Sequence, residues 1–214
     1  MPKHARNAAR ETDIGFSKPE LRILRGLRTP ARIQQFLDHE IRYNKEKDGE
    51  TCRSPRRVLR DRLAHCMEGA LFGAAALRVH GHPPLLIELL AVRDDHHALA
   101  VFRENGLWGA IAQSNYSGLG YRAPAYMTVR ELVMSYFDQY FNDPQGEYTL
   151  REYSLPVSLA RYDARGWMTS ESELFWVDDI FGGARHYRVI PKGMRPGKVR
   201  DRVFRAGCLG KVSR

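Results

Sequence analysis

Cys66 heads a run of small residues, Cys66-Met67-Glu68-Gly69-Ala70-Leu71-Phe72-Gly73-Ala74-Ala75-Ala76-Leu77, whose composition reads as a helix. The first N–H groups of a helix lack partners within it, and the positive end of the dipole favours a thiolate there. Further along, Asp94-Asp95-His96-His97 opens the apolar run Ala98-Leu99-Ala100-Val101-Phe102. A cysteine at a helix head and a histidine at the start of a strand are the two halves of a thiolate–imidazole pair, in which the base holds the nucleophile ionised. His96 and His97 compete for that role. On an alternating strand they face opposite sides, so only one of them meets Cys66. His97, directly before the apolar run, is the candidate, and His96 is expected at the surface.

These residues need a frame. Ser17-Lys18-Pro19-Glu20 is a helix start, with Ser17 as cap and a helix closing near Gly26. Thr29-Pro30 starts a second helix with Ile33, Phe36 and Leu37 on one face, and Ser54-Pro55 a third with Val58, Leu59 and Leu63. Tyr43 to Glu50 reads as a solvated loop. The Ala-rich helix begins at Cys66 and ends at Gly81 before Pro83-Pro84; Gly69 and Gly73, one turn apart, allow close approach to other backbone, which predicts a buried central helix. Leu85 to Val92 is a strand, and Ala98–Phe102 and Leu107–Ile111 flank the Asn105-Gly106 turn of a hairpin. Thr128 and Glu131 read as the capping box of a further helix. Beyond Gly146, Tyr148–Leu155 and Arg185–Ile190 look like strands and Ser170–Phe181 like a helix. The order is α+β: a central Ala-rich helix carrying the cysteine, packed on an antiparallel sheet.

Four segments follow from composition: a mobile basic arm over 1–16, a core over 17–146, an α+β extension of the same domain over 147–191, and a basic tail over 192–214. The 214 residues carry a net charge of +9, but the charge lies at the ends. Residues 1–37 carry +5 and residues 192–214 carry +7, leaving the middle mildly acidic. Such ends suit solvated tails, docking to an acidic partner, or contact with nucleic acid. No stretch approaches the roughly 20 apolar residues of a membrane helix, and no apolar segment follows the first residues as in a secretory signal. Three widely spaced cysteines, Cys52, Cys66 and Cys208, form no CxxC pair, so the expected compartment is a reducing cytoplasm. His80-Gly81-His82 before Pro83-Pro84 reads as a helix exit rather than a metal site, and no cofactor is implied.

Leu77-Arg78-Val79-His80-Gly81-His82-Pro83 resembles the helix exit of the bacterial transglutaminase-like family, a branch of the papain-like cysteine enzymes. In that family the exit follows a nucleophilic cysteine at the helix head, as it follows Cys66 here. The lead-in helix closing on Ile41-Arg42-Tyr43, the histidine His97 and the hairpin Gly106-Leu107-Trp108 resemble its other landmarks, over residues 29–116. There are two departures. Ala64 stands where the family has a glycine, and nothing acidic follows Trp108 until Glu131. The nearest group able to orient an imidazole in the third role is Asn115, with Gln113 second. The resemblance implies a Cys66–His97–Asn115 triad that cleaves or exchanges an amide bond in a peptide or small amide, with the Cys66 N–H as one oxyanion donor. The other expectation is a non-catalytic member used as a binding module or accessory subunit through its basic ends.

Overall fold

The computed structural model describes residues 15–143 and 145–209. Most of the expected arm, residues 1–14, and the last residues of the expected tail, 210–214, lie outside the described residues. Among the described residues no helix is long and apolar enough to cross a membrane.

Four helices precede the sheet: α1 (Lys18–Gly26), α2 (Pro30–Glu40), α3 (Pro55–Asp61) and α4 (Cys66–Val79). Each of the first three has its sequence-marked cap. Ser17 and Glu20 form a reciprocal capping box on α1, while Thr29 Oγ1 and Ser54 Oγ accept from Arg32 N and Arg57 N. Helix α4 is buried from Met67 through Leu77. Its glycines allow this: a Cβ on Gly69 would lie 2.2 Å from Gln113 Cβ, and one on Gly73 would lie 3.0 Å from Ala100 Cβ. At its far end Arg78 grips Asp163 through two nitrogens, at 2.9 and 2.5 Å. Asp163 also accepts from the fully buried Trp167.

The strands β3 (Leu85–Ala91), β4 (His97–Glu104), β5 (Leu107–Ile111), β6 (Arg122–Tyr126), β7 (Leu150–Ser154), β8 (Val157–Ser158) and β9 (His186–Arg188) form one antiparallel sheet in the order β6-β5-β4-β3-β7-β9, with β8 pairing the start of β3. Asn105 and Gly106, both at positive φ, make the β4–β5 turn. Two cores result. Leu86, Ala98, Ala100 and Phe102 face α4 and the helices around it, including α6 (Trp176–Gly182). Ile87, Leu89, Leu99 and Val101 face α5 (Val129–Phe137) with Tyr136 and Tyr140. The fold is therefore mixed α+β, with an antiparallel sheet covered on both faces.

Several elements differ from expectation. Thr128 caps α5, but Glu131 reaches back to Met127 N, not to its cap residue, so the box is not reciprocal. The expected helix over 170–181 is confined to α6. Tyr43 is not in a loop: β1 (Arg42–Tyr43) pairs in parallel with β2 (Leu63–Ala64). Residues 192–209 carry α7 (Asp201–Leu209), whose Phe204 ring lies 5.6 Å from that of Phe141.

Candidate functional site

The head of α4 and the start of β4 open on one cavity of about 310 Å³, lined among others by Tyr43, His65, Cys66, His97, Asn115 and Tyr140. Cys66 is the first residue of α4 and partly exposed. Its sulfur lies 3.8 Å from the carbonyl of His96, beside the backbone that leads into β4. Strand alternation then separates the two histidines. His97 is buried, on the side shared with Leu99 and Val101. His96 is half-exposed and turns its ring to Glu88, 3.6 Å away.

His97 Nε2 meets the carbonyl oxygen of Leu119 at 2.9 Å. A carbonyl only accepts, so Nε2 carries the proton and the other ring nitrogen is left for Cys66. The Leu119 carbonyl is itself held. It ends a 3-10 turn, Ser117–Leu119, whose neighbouring carbonyls at Gly118 and Gly120 accept from the Arg122 guanidinium at 2.8 and 3.3 Å. Tyr136 Oη donates to Gly120 as well, at 3.0 Å, and the guanidinium stacks 3.9 Å over the Tyr136 ring. Asn115 lines the same cavity. Gln113 does not: its amide donates to the Ile41 carbonyl at 3.2 Å and its Cβ fills the space left by Gly69.

A second histidine acts on Cys66. His65 caps α4, with Nε2 2.8 Å from the Thr51 carbonyl and Nδ1 3.2 Å from Met67 N. The Met67 contact needs a lone pair on Nδ1 and so belongs to the neutral ring. Burial alone would lower the His65 pKa. The bond to Cys66, then the Glu68 charge, overrule it and raise the value to about 9. Burial likewise would push the Cys66 thiol up, but hydrogen bonds and charge from His65 and His97 bring it down to about 6. Both shifts act in the same direction, toward a thiolate beside an imidazolium.

Glu68 anchors this corner. It is fully buried and accepts from His65 N at 2.9 Å, Arg53 N at 2.9 Å, Arg53 Nη1 at 3.0 Å and Thr51 Oγ1 at 2.8 Å. Burial opposes its charge, but the His65 charge and these donors hold its pKa below the ordinary carboxylate value. The carboxylate thereby fastens the 44–53 loop to the helix head. The short β1–β2 ladder, with Tyr43 opposite Ala64 and Asn44 N donating to the Ala64 carbonyl at 3.0 Å, sets Tyr43 beside the cavity. Burial, then the nearby Cys66 and Asp95 charges, raise the Tyr43 pKa, so its phenol stays a donor. Cys52 is buried away from the cavity, its thiol pushed up by desolvation and then by neighbouring acids.

Among the described residues the cavity lining includes Glu46, Asp94, Asp95 and Asp143 but no lysine or arginine, in a chain of net charge +9. The arrangement supplies a poised nucleophile, an oriented base, a helix-head N–H and a phenolic donor around one space. His65, Glu68 and Leu119 were not singled out from sequence, where only the position of His65 immediately before Cys66 offered a signal, and Tyr43 was read there as the end of the lead-in helix, with no role at the site. Compared with protein-family models and with the curated proteins, the chain matches none.

Proposed function

We propose that this chain is a transglutaminase-like thiol enzyme that cleaves or exchanges an amide bond in a peptide or small amide. The observation that carries the reading is the convergence on one cavity of a helix-head Cys66, with its pKa down to about 6, and a buried His97 whose Nε2 is fixed. Cys66 passes its proton to the free ring nitrogen of His97, and the thiolate Sγ attacks the amide carbonyl. The oxyanion that forms accepts from the Cys66 N–H, which has no partner in the first turn of α4, and from Tyr43 Oη. His97 passes a proton to the departing amine, leaving a thioester on Cys66. Water or an amine then attacks that thioester, His97 takes the proton from the incoming group, and the thiolate leaves with the hydrolysed or transferred acyl group. The Leu119 carbonyl holds the imidazole in one tautomer throughout, the part that Asn115 was expected to play.

The test is acyl transfer from an activated ester, followed by intact-mass and peptide mapping. The expected result is an acyl adduct on Cys66 that forms in a burst, is absent in Cys66→Ala, and forms far more slowly in His97→Ala. Acylation spread over Cys52 and Cys208, or unchanged by His97→Ala, would refute the proposal.

A further inference from the structure

A second concavity adjoins the first. The β3–β4 turn divides its residues between them: Val92 and Arg93 line a groove of about 360 Å³, while Asp94 through His97 line the cavity. The groove is opposite in charge, with Arg93, Arg151, Arg188, Lys192 and Arg195 in its walls. Carboxylates answer two of these: Glu147 pairs with Arg93, and Glu152 lies 3.3 Å from Arg188. Arg151, between them, spends one nitrogen on its own neighbour's carbonyl, Leu150 O at 2.9 Å. Burial, then repulsion from Arg93, lowers its pKa. The groove wall is fixed from behind, where Arg130 donates to the Arg188 and Val189 carbonyls at 3.0 and 2.9 Å.

The rest of the lining narrows the ligand. Val92, Ile190, Pro191 and Met194 set apolar surface among the cations, and Val92 and Met194 are 38% and 53% exposed. Among the described residues no phenylalanine, tyrosine or tryptophan lines the groove, so these offer none of the stacking platforms on which single-stranded nucleic acids rest. Cations interleaved with small apolar patches fit carboxylates interleaved with apolar side chains. We infer that the groove binds an extended acidic peptide segment of a protein partner, anchoring it beside the cavity.

The anchoring stands without any chemistry at Cys66; that the anchored chain is the substrate rests on the function proposed above. The test is therefore made on the Cys66→Ser protein, which leaves the groove intact. A fluorescein-labelled peptide of alternating glutamate and leucine is titrated by anisotropy at low and high salt, with a short oligothymidylate as competitor. The expected result is salt-sensitive peptide binding, weakened about tenfold or more by Arg151→Glu with Arg195→Glu. Arg195→Glu alone, on an exposed turn, weakens it less, and so separates loss of the site from loss of the fold. Absence of binding, binding indifferent to both charge reversals, or displacement of the peptide by an equal concentration of oligothymidylate would each overturn the inference.

Discussion

The reactivity of Cys66 is set by two histidines, and removing them one at a time gives a quantitative test. With its pKa at about 6, Cys66 is about half thiolate at pH 6, whereas a thiol at the ordinary 9.0 is ionised to about one part in a thousand. The gain in thiolate is thus about 500-fold, and the weaker intrinsic nucleophilicity of a less basic thiolate removes about 20-fold of it. Cys66 should react with iodoacetamide at pH 6 roughly twentyfold faster than an unperturbed, equally accessible thiol. The sharper observable is the inflection of rate against pH. In the parent protein it should lie near 6, with reactivity lost as pH falls through that value. His97→Ala and His65→Ala should each move it up by about one to two pH units, since each removes one of the two opposing partners. In the double variant burial is left unopposed and the inflection should pass above 9.0. Alkylation followed by mass spectrometry across roughly pH 4 to 10 resolves all four profiles. An inflection near 9.0 in the parent, or one that neither single substitution moves, would refute the account of the site.

Alkylation builds no oxyanion, so Tyr43→Phe should leave its rate and inflection unchanged while slowing acylation by an ester about a hundredfold. If the Leu119 carbonyl orients His97, Asn115→Ala should keep acylation within about threefold. Arg122→Gln, which loosens the turn presenting that carbonyl, should cost more than tenfold, with circular dichroism as the folding control. Gly69→Ala drives a methyl to 2.2 Å from Gln113 Cβ and should destabilise the protein by about 3 kcal/mol, measured by urea unfolding. Glu68→Gln removes the charge of a fully buried carboxylate from its pair with the partly buried Arg53 and should cost about 3 to 5 kcal/mol, seen as a lower thermal midpoint.

Much of the frame was legible because it rests on local chemistry. Ser17, Thr29 and Ser54 announce their helices by capping, Asn105-Gly106 announces its hairpin by positive φ, and Gly69 and Gly73 announce the close packing of α4 by having no Cβ. What stayed hidden was set by distant partners. Strand β6, Arg122–Tyr126, contains Pro124 and no apolar–polar alternation of residue types, and exists because β5 supplies its ladder. Strand β1 is a two-residue ladder that only Leu63 and Ala64 complete. Helix α7 lay within a charge run, where the apolar contact of Phe204 with Phe141 was masked by its basic neighbours. At the site, Cys66 and His97 could be chosen by residue type and chain order. Glu68 looked like one more polar helix residue, because its burial depends on donors from the 44–53 loop.

The partner of His97 Nε2 is a main-chain atom, and this bears on how the site tolerates genetic change. Every amino acid carries the same carbonyl, so codon 119 can drift through many substitutions without deleting the acceptor. A saturation screen for loss of activity would be expected to return Cys66 and His97 as intolerant positions and to register position 119 only where a new side chain displaces the turn. Lineages sharing this device would diverge at the third position while keeping its role. A search for a conserved acidic or amide side chain there would pass over them.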